Sequence, residues 1–278
     1  MSQRQPSRTA LATAYLRAAH QRLDAEPRVL DDPVAIRLLG AAAEPRLRDG
    51  AERFDTPAAR ALRAHVVLRS RYAEDRLAEA VRRGVSQYVI LGAGFDTFAL
   101  RQPDWARSLR ILEVDHPGSQ ALKSAYLADA GLAMPANAEL IEIDFEQESL
   151  LEGLRRSRVS IETPTFFSWL GVTMYLNQEA IAAALRAMAS FPAGSEVVLT
   201  FAQPSDDGDR ARLAERVAEV GEPFVSYFEP AELEALLRGA GFERVEFLSS
   251  AEADERYFKP RPRDLPPPRQ TGIAWAGR

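Results

Sequence analysis

Residues 87–97 read Gln-Tyr-Val-Ile-Leu-Gly-Ala-Gly-Phe-Asp-Thr, and this stretch decides the fold. Tyr88–Leu91 is a short, wholly apolar run, and Gly92 and Gly94 follow it at once. Such a run closed by glycines is the pattern of a strand buried on both faces and ending in a tight loop. Toward the C-terminus, similar runs recur at Arg110–Val114, Glu139–Ile143, Thr165–Leu170 and Glu196–Phe201. Helical spacing fills the intervals Pro117–Ala130, Gln147–Ser157 and Asn177–Phe191. Strands and helices alternating in this way predict βαβ units and an open parallel sheet in an α/β protein. Helices at Ser205–Val220 and Pro230–Ala240 and strands at Glu243–Leu248 and Gly272–Ala276 complete the reading. The last two strands bring the sheet to seven, mostly parallel, with a reversed strand at its edge. The proline-rich stretch Lys259–Pro268 reads as a surface loop.

Toward the N-terminus the period is helical throughout residues 1–83. Ser7 can cap a first helix running to Leu23, and Asp31-Asp32-Pro33 opens a short one toward Leu39. Thr56-Pro57 repeats that signal before a long Ala/Arg/Leu helix that Gly84 ends. The division expected is a helical cap or lid over residues 1–83 and a ligand-binding core over 84–278.

Composition narrows the function. The chain has 278 residues, 46% hydrophobic and 27% charged, which excludes disordered, collagen-like and coiled-coil classes. Cysteine is absent, so disulfides, thiolate metal sites and a cysteine nucleophile are all excluded. His20, His65 and His116 lie far apart with no HExxH spacing, and no metal is expected. A formal net charge of −5 argues against a general nucleic-acid binder. No run approaches the ~20 apolar residues that span a bilayer. A cytoplasmic protein acting on a small molecule, with neither nucleic acid nor membrane as partner, is the expectation.

The GxG spacing after the first strand lets backbone approach a nucleotide-like ligand, and an acid ending the second strand can take ribose hydroxyls. Asp115, in ILEVDHP, holds that position, with His116 beside it lining the same site. Thr97 stands where a dinucleotide fingerprint has its third glycine, which favours a ligand without pyrophosphate. Asp144 closes the third strand next to Phe145, so a carboxylate can accept from an adenine amino group while a ring packs on the base. Each acid also has a plainer reading as a helix N-cap. Their conjunction behind a GxG loop is what points to a ligand.

Several strings together carry a family resemblance: RSRYAED (69–75), QYVILGAGFDTFALR (87–101), ILEVDHP (111–117), IEIDFE (141–146) and FFSWLGVTMYL (166–176). SRTALATAYLRAAH (7–20) and ERYF (255–258) extend it over nearly the whole chain. The sequence resembles the leucine carboxyl methyltransferase-like family, in its bacterial small-molecule branch. The resemblance implies a class I methyltransferase (Rossmann-like) fold with an N-terminal helical cap, and S-adenosyl-L-methionine as cofactor. It implies Arg71 as the grip on the cofactor carboxylate. Gly92, Ala93 and Gly94 would lie beneath the amino-acid part, Asp115 at the ribose, and Asp144 with Phe145 at the adenine. Leu170 stands where phosphatase-type members have a glutamate.

The expected activity is O-methyl transfer to a carboxylate or hydroxyl of a small metabolite. A carboxylate acceptor, with a reference pKa near 4, is already ionised and needs no base. Arg63, Arg69 and His20 are then candidates to orient it. A hydroxyl acceptor needs a base, and His65 and Tyr175 are the catalytic candidates. Two other readings compete: a nicotinamide-dependent oxidoreductase, disfavoured by Thr97 and by Asp144-Phe145, and a non-catalytic cofactor-binding scaffold, to which Leu170 lends support.

Overall fold

The computed structural model describes residues 8–144, 147–204 and 221–278. The seven strands are β1 (Gln87–Leu91), β2 (Arg110–Asp115), β3 (Ala138–Glu142), β4 (Thr165–Trp169), β5 (Glu196–Thr200), β6 (Arg244–Phe247) and β7 (Ile273–Gly277). They form one sheet in the order β3-β2-β1-β4-β5-β7-β6. β1 pairs in parallel with β2 and β4, β2 with β3, and β4 with β5. β7 runs antiparallel to both β5 and β6. The reversed strand expected at the edge therefore lies one place inside it. Burial gives the reason: β7 is buried along its whole length, whereas β6 alternates between exposed and half-buried residues and suits an edge.

Among the described residues the helices are α1 (Arg8–Leu23), α2 (Val34–Leu38), α3 (Ala43–Asp49), α4 (Ala51–Phe54), α5 (Pro57–Arg82), α6 (Pro117–Asp129), α7 (Leu150–Arg155), α8 (Gln178–Ala189), α9 (Pro230–Ala240) and α10 (Ser250–Ala253). α3 and α4 were not singled out by the sequence pattern. The expected cap at Ser7 and the expected helix at Ser205–Val220 lie outside the described residues. α5 starts where Thr56 accepts the Ala59 N–H at 3.2 Å with Pro57 in the first turn. That cap contributes about 1 kcal/mol. The helix stops ahead of Gly84, whose φ of +103° turns the chain away.

Alternate residues of each strand serve opposite faces. Tyr88, Ile90, Ile111 and Phe166 pack against Ala64, Val67, Leu68 and Leu77 of α5. Val89, Leu91, Leu112 and Phe167 pack on the other side against Ile181 and Leu185 of α8 and Leu233 and Leu237 of α9. α5 thus belongs to the layer that covers the sheet, although it lies within the first 83 residues. A third cluster joins Ala14 and Ala18 of α1 and Val34 and Leu38 of α2 to Phe95, just past the glycine loop, and to Leu127 of α6. The N-terminal helices are thereby fastened beside that loop. The strand order turns around at β1 and β4, and such a turning point leaves a crevice at the strands' carboxyl ends.

Candidate active site

The crevice floor is the loop after β1. Gly92 and Gly94 have φ of +64° and +49°, the left-handed region that glycine adopts without strain. A Cβ at Gly92 would run into the side chain of Val172, in the loop after β4. One at Gly94 would stand 3.1 Å from the Ala10 Cβ, so the first turn of α1 lies directly on the loop. The Gly94 N–H donates to Asp115 Oδ2 at 2.6 Å, and the His116 N–H donates to Oδ1 at 2.7 Å. With the Ser119 hydroxyl as a third donor, the carboxylate keeps acceptor capacity for one more. Burial pushes the Asp115 carboxyl above its ordinary range, against the pull of the Gly94 and His116 amides and the Ser119 hydroxyl.

His116 caps α6: its Nδ1 accepts the Gly118 N–H at 3.1 Å. The neutral ring then carries its proton on Nε2, where it can donate to a ligand. Asp144 accepts from the Gln147 side-chain amide at 2.8 Å, and its backbone carbonyl accepts the N–H groups of Gln147 and Glu148. These bonds place Asp144 at the start of the turn that follows β3. Phe145 lies outside the described residues. Thr97 donates to the fully buried Asp32 at 2.5 Å, so the residue that interrupts the dinucleotide fingerprint ties the loop to the N-terminal helices.

The arginines of the long helix separate sharply. Arg71 is partly exposed; its Nε donates to Asp75 at 2.8 Å, and the Tyr257 hydroxyl donates to the same Asp75 at 2.9 Å. The strings RSRYAED and ERYF therefore meet in a contact away from the crevice. The structure does not bring Arg71 to the site. Two residues earlier on α5, about 200° around the axis, Arg69 lies over Gly171: a Cβ there would be 2.6 Å from Nη1 and 2.9 Å from Cζ. Only glycine lets the guanidinium lie so close. Burial, with repulsion from Arg17 next, lowers the Arg69 pKa to about 10, opposed by Tyr175 and Asp96. No described carboxylate forms an ion pair with Arg69. A desolvated cation of this kind is a receptor for an anion.

Arg63 and His20, expected to orient an acceptor, are buried elsewhere. Arg63 donates to both oxygens of Asp24 at 2.7 Å, and His20 Nδ1 lies 2.7 Å from the same carboxylate. Burial would raise the Asp24 carboxyl, but hydrogen bonds from His20 and Arg63 hold it below its ordinary range. The cluster braces α1 against α5. Tyr175 does reach the crevice, near Arg69 and hydrogen-bonded to Thr9, with its ring 5.3 Å from Phe224. Burial raises its phenol further above 10, so Tyr175 stays protonated and can donate a hydrogen bond but is ill suited to be a tyrosinate base. His65 is half-buried one turn before Arg69 on the same stripe of α5. Leu170 packs into the sheet core, and Gly171 donates to the Thr200 hydroxyl at 2.6 Å.

Sequence reasoning missed Arg17, which donates to the Phe95 carbonyl, and the Glu113–Lys123 pair beneath the loop. A signal for the pair existed: Lys123 and Lys259 are the chain's only lysines among 35 basic residues. No group of His, Asp or Glu among the described residues is arranged to hold a metal, and no helix among them is long and apolar enough to cross a membrane.

The profile of the leucine carboxyl methyltransferase family matches residues 10–189. Over 95% of each chain, the sequence is 32% identical to YktD of Bacillus subtilis (strain 168), which bears the name of an S-adenosyl-L-methionine-dependent methyltransferase. A structure from Thermobifida fusca, described as a methyltransferase, superposes with TM-score 0.57 at 22% identity, over 87% of this chain and 91% of that one. A DUF574-family protein of Streptomyces avermitilis gives 0.57 at 18% identity over 95% of each chain. Fold, crevice and relatives together define an S-adenosylmethionine-dependent methyltransferase with a Rossmann-like sheet and a helical N-terminal region. The chain belongs to the leucine carboxyl methyltransferase family, and S-adenosylmethionine is its cofactor. The nicotinamide and scaffold readings give way to this one.

Proposed function

We propose that the protein is an O-methyltransferase acting on a small metabolite in the cytoplasm, and that the acceptor reaches the crevice as an anion, a carboxylate or an acidic phenol. One observation carries the choice: Arg69, Arg17 and the Tyr175 phenol, which burial holds protonated, bring donors together in the crevice, with the Asp96 carboxylate also facing Arg69. An already ionised acceptor suits such surroundings and needs no base.

Bound S-adenosylmethionine supplies a methyl group made electrophilic by its sulfonium. The residues present fit that molecule. Arg69 would pair with its carboxylate, the Gly92–Gly94 backbone would lie beneath its amino-acid part, and Asp115 and the His116 Nε2–H would take the ribose hydroxyls. Asp144 would accept from the adenine amino group. With no bond to protonate or polarise, the chain's task is to hold donor and acceptor in line and exclude water, and positioning supplies most of the acceleration. Val172 and α1, packed on the loop, close the crevice from two sides. A hydroxyl acceptor is the second reading, favoured by His65 on the Arg69 face of α5, where it could act as base.

Release of S-adenosylhomocysteine from a panel of carboxylic acids, phenols, alcohols and amines tests the proposal. Turnover confined to acids and phenols, with kcat flat between pH 6 and 9, is expected. Turnover of amines or thiols alone would refute it.

A further inference from the structure

β2 carries two acids on one face, because strand residues two apart point the same way. Asp115 holds the glycine loop directly through the Gly94 N–H. Glu113 holds it at one remove. Lys123, from α6, donates to Glu113 Oε2 and, at 2.7 Å, to the backbone carbonyl of Asp96, and both side chains are fully buried. Glu113 Oε1 has no partner among the described residues. Burying a lysine and a glutamate together is costly, and apolar residues of similar volume would often give an equally stable core. The pair therefore calls for a reason beyond stability, and among the described residues the one side-chain hydrogen bond it makes outside itself is to the loop.

We propose that Glu113 and Lys123 are positioning residues for the cofactor: through the Asp96 carbonyl, the buried pair sets the backbone of residues 94–96, and with it the end of the Gly92–Gly94 loop beneath the amino-acid part of S-adenosylmethionine. The pair touches no ligand and acts through the loop. Asp96 links it to the rest of the crevice, since that carboxylate faces both Glu113 and Arg69. The inference rests on the cofactor assignment, so its test includes a measurement that needs no ligand.

The experiment compares Lys123→Met, Lys123→Arg and the double variant Glu113→Leu/Lys123→Met. Calorimetric titration with S-adenosylhomocysteine, thermal unfolding, and amide hydrogen exchange of the peptide spanning 93–98 are read on each. Expected are at least tenfold weaker binding in Lys123→Met and in the double variant, rescue to within about threefold in Lys123→Arg, and faster exchange of the 93–98 peptide in both lysine-to-methionine proteins without ligand. The double variant should recover thermal stability lost in Lys123→Met but not affinity, a split that a purely structural role would not produce. Native exchange and native affinity in the double variant would overturn the proposal, as would an arginine variant as impaired as the methionine one. If the wild-type protein failed to bind S-adenosylhomocysteine while loop exchange still rose in the variants, the cofactor assignment would fall and the loop-holding role would stand.

Discussion

Arg69 and Arg71 lie two residues apart on one helix, and replacing each separates the crevice described here from its nearest alternative. Arg69→Met removes the guanidinium over Gly171 and leaves the cofactor carboxylate desolvated without its cation. Losing one partner of a buried, hydrogen-bonded charge pair costs about 2–5 kcal/mol, which weakens binding about 30-fold to more than a thousandfold. The unliganded protein should not suffer equally. Burial and Arg17 already disfavour the Arg69 charge, so its thermal midpoint should stay level or rise. Arg71→Ala breaks a partly exposed pair four residues apart, worth about 0.3–0.5 kcal/mol of stability, and should leave affinity unchanged. Isothermal titration with S-adenosylhomocysteine and a thermal scan of both variants read all four quantities. Strong loss of affinity in Arg71→Ala with none in Arg69→Met would refute the placement of the carboxylate site.

Three other outcomes follow from the same geometry. Asp115→Ala should weaken cofactor binding at least tenfold, about 1.4 kcal/mol, measured by the same titration; unchanged affinity would remove the carboxylate from the ribose site. Gly171→Ala should also weaken binding, because the new Cβ meets the Arg69 guanidinium at 2.6–2.9 Å and φ is +74° there, whereas Gly131→Ala, strained but with open space around it, should leave affinity alone. Glu113 is pushed up to about 7 by burial, opposed by Lys123 and reinforced by Asp96 and Asp115. A carboxyl raised in the folded state contributes stability that is full below its unfolded value near 4.5 and lost as pH rises through 7. The thermal midpoint of the wild type should therefore fall relative to that of Glu113→Gln between pH 5.5 and 8, and parallel curves would contradict the assignment.

Much of the fold was legible because β1, β2, β4 and β5 are covered on both faces and so print largely apolar runs; those of β1 and β4 run on to a glycine, and that of β2 ends in an acid. The placement of β6 and β7 was not: both are short, and which one takes the edge depends on which finds cover. Within the site, the GxG loop and Asp115 were readable because backbone approach and strand-end position are local properties. Which arginine faces Gly171 was not legible, because a helix of 26 residues rich in arginine has no sequence mark for that face. A weaker clue was present, since Asp75 lies four residues after Arg71 and gives it a partner on its own helix. Arg63 and His20 misled for a related reason: one buried carboxylate, Asp24, engages both, and it lies four residues from His20, a local clue, but far along the chain from Arg63, where nothing local announces it.

The cofactor is expected to lie across the carboxyl ends of β1, β2 and β3, and a crystal structure of the complex with S-adenosylhomocysteine tests that most directly. The product's carboxylate should sit within hydrogen-bond distance of the Arg69 guanidinium, its ribose hydroxyls at Asp115 and its adenine amino group at Asp144. A carboxylate bound by Arg71, or a nucleoside seated anywhere but beside Asp115, would contradict it.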